Sequence, residues 1–174
     1  YVHNGAGGFI EIGEVDATLN LHNNNRAFVG TEIGGEQVDG DGTQIVSGGL
    51  FKINTDTDIT STVSATADGG GFIGSSSADA ISNITNNTLS IVGQSSVIDA
   101  ESVALIANLS NMDAHVSADA TAYALFGYAN ANADHNITSN TKVLIQGDTA
   151  ANETLLTGYT GVDVRVLQSG KTQT

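Results

Sequence analysis

The sequence predicts an all-β, repetitive fold: a β-solenoid of the parallel β-helix kind with a period of about 53 residues. Three observations predict it. The stretch from Val63 to Val92 returns 53 residues on, placing Val63 on Val116, Ala65 on Ala118, Gly74 on Gly127, Asn83 on Asn136 and Ile84 on Ile137 without a gap. Apolar and polar residues alternate with a period of two through the same stretch, as they do along a half-buried strand. Proline is absent, and Thr, Val, Ile and Asn are abundant, so nothing interrupts a hydrogen-bonded ladder. The alternative is a two-sheet β-sandwich subunit completed by a strand from a neighbour.

An upstream copy matches Gly7, Gly8, Phe9 and Ile10 to Gly70, Gly71, Phe72 and Ile73, then Asp16 to Asp79, Asn20 to Asn83 and Val29 to Val92, now 63 residues apart. The ten extra residues fall at 34–43, a hydrophilic, glycine-rich run expected to be an inserted loop. Beyond it Ile45 falls on Ile98 and Ile53 on Ile106. A smaller insertion near 148–153 places Val103 on Val162. The chain thus divides into copies at approximately 7–69, 70–122 and 123–170 within one repetitive β domain. Its ends do not coincide with repeat boundaries, as expected of a segment of something longer or one continued by a neighbour.

Taken in order, Val15, Ala17, Leu19 and Leu21 share one face of a strand, with Asp16, Thr18, Asn20 and His22 on the other. Gly13 and Glu14 shift the parity set by Ile10 and Ile12, which predicts a bulge, and Asn23–Asn25 reads as a turn. Next, Ile59, Ser61, Val63, Ala65 and Ala67 face inward, with Asp58, Thr60, Thr62, Ser64 and Thr66 outward, until Gly69–Gly71 ends the strand. The following copy sets Ala114, Val116, Ala118, Ala120, Ala122 and Ala124 against His115, Ser117, Asp119, Thr121 and Tyr123. Alanine favours helices, but the strict period of two and the glycine interruptions favour strands. Small inward side chains suit thin, closely stacked sheets.

The formal charge is −14, with only Lys52, Lys142, Lys171, Arg26 and Arg165 as strong cations. That balance argues against nucleic acid and anionic membranes as partners. No run is long and apolar enough to span a bilayer as a helix, so no membrane insertion is expected. There is no cysteine.

The cadence of Val97–Ala107 (VIDAESVALIA), followed by an alternating alanine strand, the step Leu125-Phe126-Gly127, a second alanine strand and an Asn/Thr-rich run, resembles the repeats of giant bacterial surface proteins of the haemagglutinin-like or β-strand-repeat adhesin type. The resemblance implies an exported, extracellular or cell-surface protein with a β-solenoid fold, serving adhesion, matrix building or coating. It transfers no site residues.

Candidate chemistry is sparse. Asp39-Gly40-Asp41-Gly42 has the look of an oxygen-ligand calcium loop, with Glu36 nearby but without the full twelve-residue pattern. Asp56 and Asp58 share one strand face with Asn54, where a cation or water would relieve repulsion. These four aspartates are the candidate metal ligands, calcium is the candidate ion, and no other cofactor is expected. Glycosylation sequons stand at Asn83, Asn86, Asn108, Asn136 and Asn152. The histidines have no metal-ligand spacing, and no nucleophile triad or phosphate loop appears, so no enzyme is expected. A β-helical polysaccharide-active enzyme is the remote alternative. Expected partners are copies of the chain or adjacent repeats, joined head to tail, and for an adhesin module glycans or cell surfaces, with Tyr123 and Tyr128 as platforms.

Overall fold

A parallel sheet of very long strands carries almost the whole chain. The computed structural model describes residues 2–5, 9–147 and 153–173, and among these there is no helix. The strands are β1 (Val2–Gly5), β2 (Ile10–Val29), β3 (Thr31–Gly34), β4 (Gln37–Asp39), β5 (Gln44–Val92), β6 (Val97–Ile145), β7 (Leu155–Gln168) and β8 (Lys171–Gln173). β5 and β6 lie side by side; β1 and β2 flank β5, and β7 and β8 flank β6. Every pairing in this sheet is parallel, and the antiparallel β3–β4 hairpin stands apart.

The pairings fall where the sequence matches itself. Val63 lies opposite Val116, Ala65 opposite Ala118 and Asn83 opposite Asn136; Asp16 lies opposite Asp79, Asn20 opposite Asn83, and Val103 opposite Val162. One expected match is displaced. Between the register shifts at Ser47/Leu50 and Thr57/Asp58, Ile53 pairs with Leu105 and Asn54 with Ile106. The shift keeps Ile53 on the buried face with Leu105, whereas Ile106 is half-buried on the other.

A straight strand of 49 residues would be about 160 Å long. β5 is not straight. Thr55 Oγ1 lies 2.9 Å from Ser90 Oγ, and Thr88 donates its hydroxyl to Thr57 Oγ1 at 2.9 Å, so the strand doubles back between them. The fold point is near Gly70–Ile73. The predicted strand end at Gly69–Gly71 is thus a corner through which pairing continues. Glycine suits the crowding here: Gly71 sits at φ +109°, a Cβ on Gly69 would stand 3.0 Å from the Ser75 carbonyl oxygen, and one on Gly74 would stand 3.0 Å from Ala124 Cβ.

The sheet therefore forms two facing walls. Residues 44–69 and 97–122, with β1, β7 and β8, make one. β2 with residues 74–92 and 127–145 makes the other. Val63, Ala65 and Ala67 of the first wall pack on Val15, Ala17, Ala78 and Ala80 of the second, and the four alanines at 65, 67, 78 and 80 are fully buried. Only small side chains fit between walls this close. Further along, Ile59, Ile84, Leu109 and Met112 fill a wider gap, and Val29, Ile53, Val92, Ile98, Val103 and Leu105 fill the end opposite the corner.

Two local expectations are corrected. β2 has no bulge at Gly13–Glu14: its register with β5 is unbroken, Ile10 and Ile12 face outward, and Glu11 faces inward. Glu11 Oε2 accepts the Gly70 N–H at 2.7 Å, while Oε1 is buried with no hydrogen-bond partner among the described residues. Asn23–Asn25 is not a turn but part of β2. Asn23 donates to Asn86 Oδ1 at 2.7 Å, and Asn25 donates to the Asp56 carbonyl at 2.7 Å and to Thr57 Oγ1 at 3.1 Å. These bonds across and between walls replace the local ones that make asparagine a turn former.

The extra residues between β2 and β5 form the β3–β4 hairpin, which folds over the outer side of the second wall. Val38, buried, covers Leu89 and Ile91, with Leu144 beside them. Gly40 N–H bonds to the Gln94 carbonyl at 2.8 Å, Gln94 N–H to the Val38 carbonyl at 3.1 Å, and Val38 N–H to Gln146 Oε1 at 2.8 Å. Gly30, at φ +114°, makes the sharp entry into the hairpin.

Candidate functional site

Parallel pairing of equivalent residues stacks like side chains into columns. Asn83 Nδ2 donates to Asn20 Oδ1 at 2.9 Å, and Asn140 Nδ2 to Asn87 Oδ1 at 3.4 Å; Ser117 and Ser64 hydroxyls lie 3.1 Å apart. Asparagine ladders of this kind reinforce in-register stacking. Acidic columns are handled differently. Asp56 Oδ1 accepts from Asn108 Nδ2, and Asp58 Oδ1 from Asn111 Nδ2, each at 3.0 Å. An asparagine in the next pass occupies the place where a second carboxylate would repel the first.

The four candidate metal ligands are therefore divided between two settings. Asp39 ends β4 and accepts the Asp41 N–H at 2.9 Å, a turn in its own right. Asp56 and Asp58 lie exposed on the outer face of β5, each tied to its asparagine. Glu36 turns toward the second wall, accepting from Lys142 Nζ at 3.1 Å and Asn140 Nδ2 at 3.2 Å. Among the described residues no three or more His, Asp or Glu side chains gather as a metal-binding group.

The sequon asparagines also separate. Asn83 and Asn108 are half-buried and Asn136 is exposed. Asn86 is fully buried, donating to Thr88 Oγ1 at 3.2 Å and Ser139 Oγ at 3.3 Å, with no room for a glycan in the folded chain. Asn152 lies outside the described residues. Of the histidines, His22 is exposed, whereas His115 is half-buried and His135 places Nε2 3.2 Å from the Ala114 carbonyl oxygen.

The corner carries a second pattern that periodicity alone did not single out. Phe9 and Phe72 stack with centroids 5.2 Å apart, and Phe126 meets Phe72 edge-on at 5.7 Å. Ile10, Ile12, Ile73 and Tyr128 join Phe126 along a shallow apolar groove. Tyr123 and Tyr128 are 73% and 65% exposed, so both rings are available to a partner. On β7, Tyr159 donates its hydroxyl to Asp99 Oδ2 at 3.2 Å, and this bond to a carboxylate, with its charge, holds the phenol above its ordinary pKa.

The open backbone edges are the most extended feature. Among the described residues, β2 pairs only with β5, and β1 covers only Ala65–Asp68 on that side of the first wall, leaving the stretch from Gln44 to Ser64 open. At the other end β7, β8 and the 127–145 portion of β6 each use one edge. Val162, Val164 and Val166 are 46–51% exposed, although Val103, Leu105 and Ala107 opposite them are buried. Among the described residues β7 is paired on one side only, which leaves these valines at the edge of the wall. Comparison of the chain with family models, characterised proteins and solved structures finds no match.

Proposed function

We propose that the chain is a structural, adhesive extracellular protein: a β-solenoid segment with a period of about 53 residues that extends a fibre, cell coat or biofilm matrix by stacking head to tail on adjacent repeats or on copies of itself. One observation carries the reading. Each pass is hydrogen-bonded to the equivalent residues of the pass before it, and among the described residues the stack presents unpaired parallel edges at both ends. Such edges, with no proline to block them, are templates for strand addition. The resemblance of the Val97–Ala107 cadence to repetitive surface adhesins, and the acidic surface, support an exterior location.

The exposed Tyr123, Tyr128 and phenylalanine corner favours a second reading, a glycan- or surface-binding adhesin module. Electron microscopy of the purified chain, with and without a calcium chelator, tests the first. Filaments with an axial repeat of about three strand spacings, roughly 14 Å, support it. Filaments that fray under chelation give Asp39, Asp41, Asp56 and Asp58 a structural calcium role. A chain that stays monomeric at high concentration, with both edges protected from hydrogen exchange, overturns self-assembly. A glycan array without signal, with or without calcium, counts against the second reading.

A further inference from the structure

We infer that the partner at the open edges is a second copy of this chain, and that it docks in one register. β2 of one copy lies on residues 126–145 of β6 of the other, each β2 residue opposite the β6 residue numbered 116 higher. This inference rests on the head-to-tail reading and adds to it the register and the contacts.

The argument is continuity with pairings already present. β2 and β6 flank β5 on opposite sides, and each is matched to it column by column. Ala17, Ala80 and Ala133 share a column, as do Asn20, Asn83 and Asn136, and Asn24, Asn87 and Asn140. Placing the second copy's β2 on β6 therefore sets Ala17 on Ala133, Asn20 on Asn136 and Asn24 on Asn140, and sets Leu21 on Ile137. Both asparagine ladders continue across the junction. At the corner, Phe126 lies in the column of Ile10 and Ile73, so it receives the second copy's Ile10.

Charge complementarity points to the same register. Asp16 meets Asn132, Glu14 meets Asn130, and Thr18 meets Asp134, so none of these acids faces another across the junction. Asp16 thereby joins Asn132 in the acid–amide pairing seen within the chain. On the other wall the open edge of β5 comes down on β7. There Lys52 falls in the column of Ala104 and Asp163, and Asn54, beside Asp56, falls in that of Ile106 and Arg165. The half-exposed Val162, Val164 and Val166 receive the second copy's Phe51, Ile53 and Thr55. β1 and β8 occupy different columns of their wall, those of Ala65–Asp68 and of Thr60–Thr62, so both fit in the same layer.

Disulfide trapping tests the register, and the chain has no native cysteine to interfere. Within one chain Asn20 and Asn136 are separated by the strand bearing Asn83, so their Cα atoms stand about 9.5 Å apart, too far to bridge. Between copies in the proposed register they are neighbours at about 4.8 Å. The pairs Asn20→Cys with Asn136→Cys, and Thr18→Cys with Asp134→Cys, each at exposed positions, are oxidised at high protein concentration and run without reductant. A ladder of covalent oligomers from both is the expected result. Asn20→Cys with Thr138→Cys, displaced two residues to about 8 Å, should give none. Filaments by microscopy with no ladder, or with a ladder only from the displaced pair, overturn the register and leave the fibre reading standing. Folded chains giving neither filaments nor ladders overturn both.

Discussion

Replacing Ala80 by leucine probes the closeness of the two walls. Ala80 is fully buried against Ala65 and Ala67 of the facing wall, with Ala78 next to it in the same cluster. Leucine adds three carbons. Burying them in vacant space would stabilise the chain by about 2 kcal/mol at about 0.8 kcal/mol per carbon. The walls leave no such space, so the added volume must push them apart or force an unfavourable rotamer, at a cost of about 1–3 kcal/mol. Ala133 supplies an internal control, because it occupies the same column one pass later but is only half-buried. Ala133→Leu should change stability by no more than about 0.5 kcal/mol. Urea unfolding followed by circular dichroism, at a concentration low enough to keep chains apart, measures both. With a slope of about 2 kcal/mol per molar, a 2 kcal/mol loss lowers the midpoint of Ala80→Leu by about 1 M. An unchanged or raised midpoint for Ala80→Leu would mean that the walls stand far enough apart for large side chains, and the inward assignment of the alanine stripe would fall.

Asn86→Ala should cost about 2 kcal/mol in the same assay, because it strips hydrogen bonds from Asn23 and Ser139 inside the walls, while Asn136→Ala, at an exposed site, should be near neutral. Asn108→Asp together with Asn111→Asp sets carboxylates about 5 Å apart opposite Asp56 and Asp58. Each exposed pair should cost on the order of 1 kcal/mol at low ionic strength, and a loss of stability that salt does not relieve would count against this electrostatic account. Tyr159 should ionise above the ordinary tyrosine range, followed by ultraviolet absorbance at alkaline pH, and Asp99→Asn should lower its midpoint. The bonded form is the neutral phenol, so any stability it lends is present at neutral pH and is lost as pH rises through the raised value.

The parity of Ile59 to Ala67 and of Ala114 to Ala124, and the matches that set the register, were legible because alternation and internal repetition are direct images of a parallel stack. What was not legible was where the chain turns. Glycines 69–71 read as a strand end, yet pairing continues on both sides of the corner, which turns at Gly71 with φ +109°. Asn23–Asn25 read as a turn because asparagine's local preference favours one, and the partners that overrule it, Asn86 and Thr57, are 63 and 32 residues away. At Ile53 residue identity misleads: Ile106 is the same residue type, but two compensating register shifts bring Leu105 opposite instead. Among the candidate ligands, the spacing of Asp56 and Asp58 identified two adjacent carboxylates. Their partners could not be found from their own strand, because the relieving groups sit on the next pass.

Acid–amide pairing of this kind lets an acidic chain stack. A parallel in-register stack sets each residue beside its equivalent, so a perfectly repeated acidic strand would place carboxylates about 4.8 Å apart through the whole column. The column of Asp16 and Asp79 does so once, and the next residue in it is Asn132. Elsewhere Asp56 is followed by Asn108 and Asp58 by Asn111, an amide of nearly the same shape that donates to the carboxylate and carries no charge. The differences between copies at these positions are therefore part of the stacking mechanism. Identity is kept where ladders of asparagine and alanine hold the passes together, and replaced by Asp-to-Asn alternation where identity would drive them apart. A net charge of −14 can then remain on the chain, opposing lateral aggregation at its open sheet edges, without splitting the columns that hold its passes together.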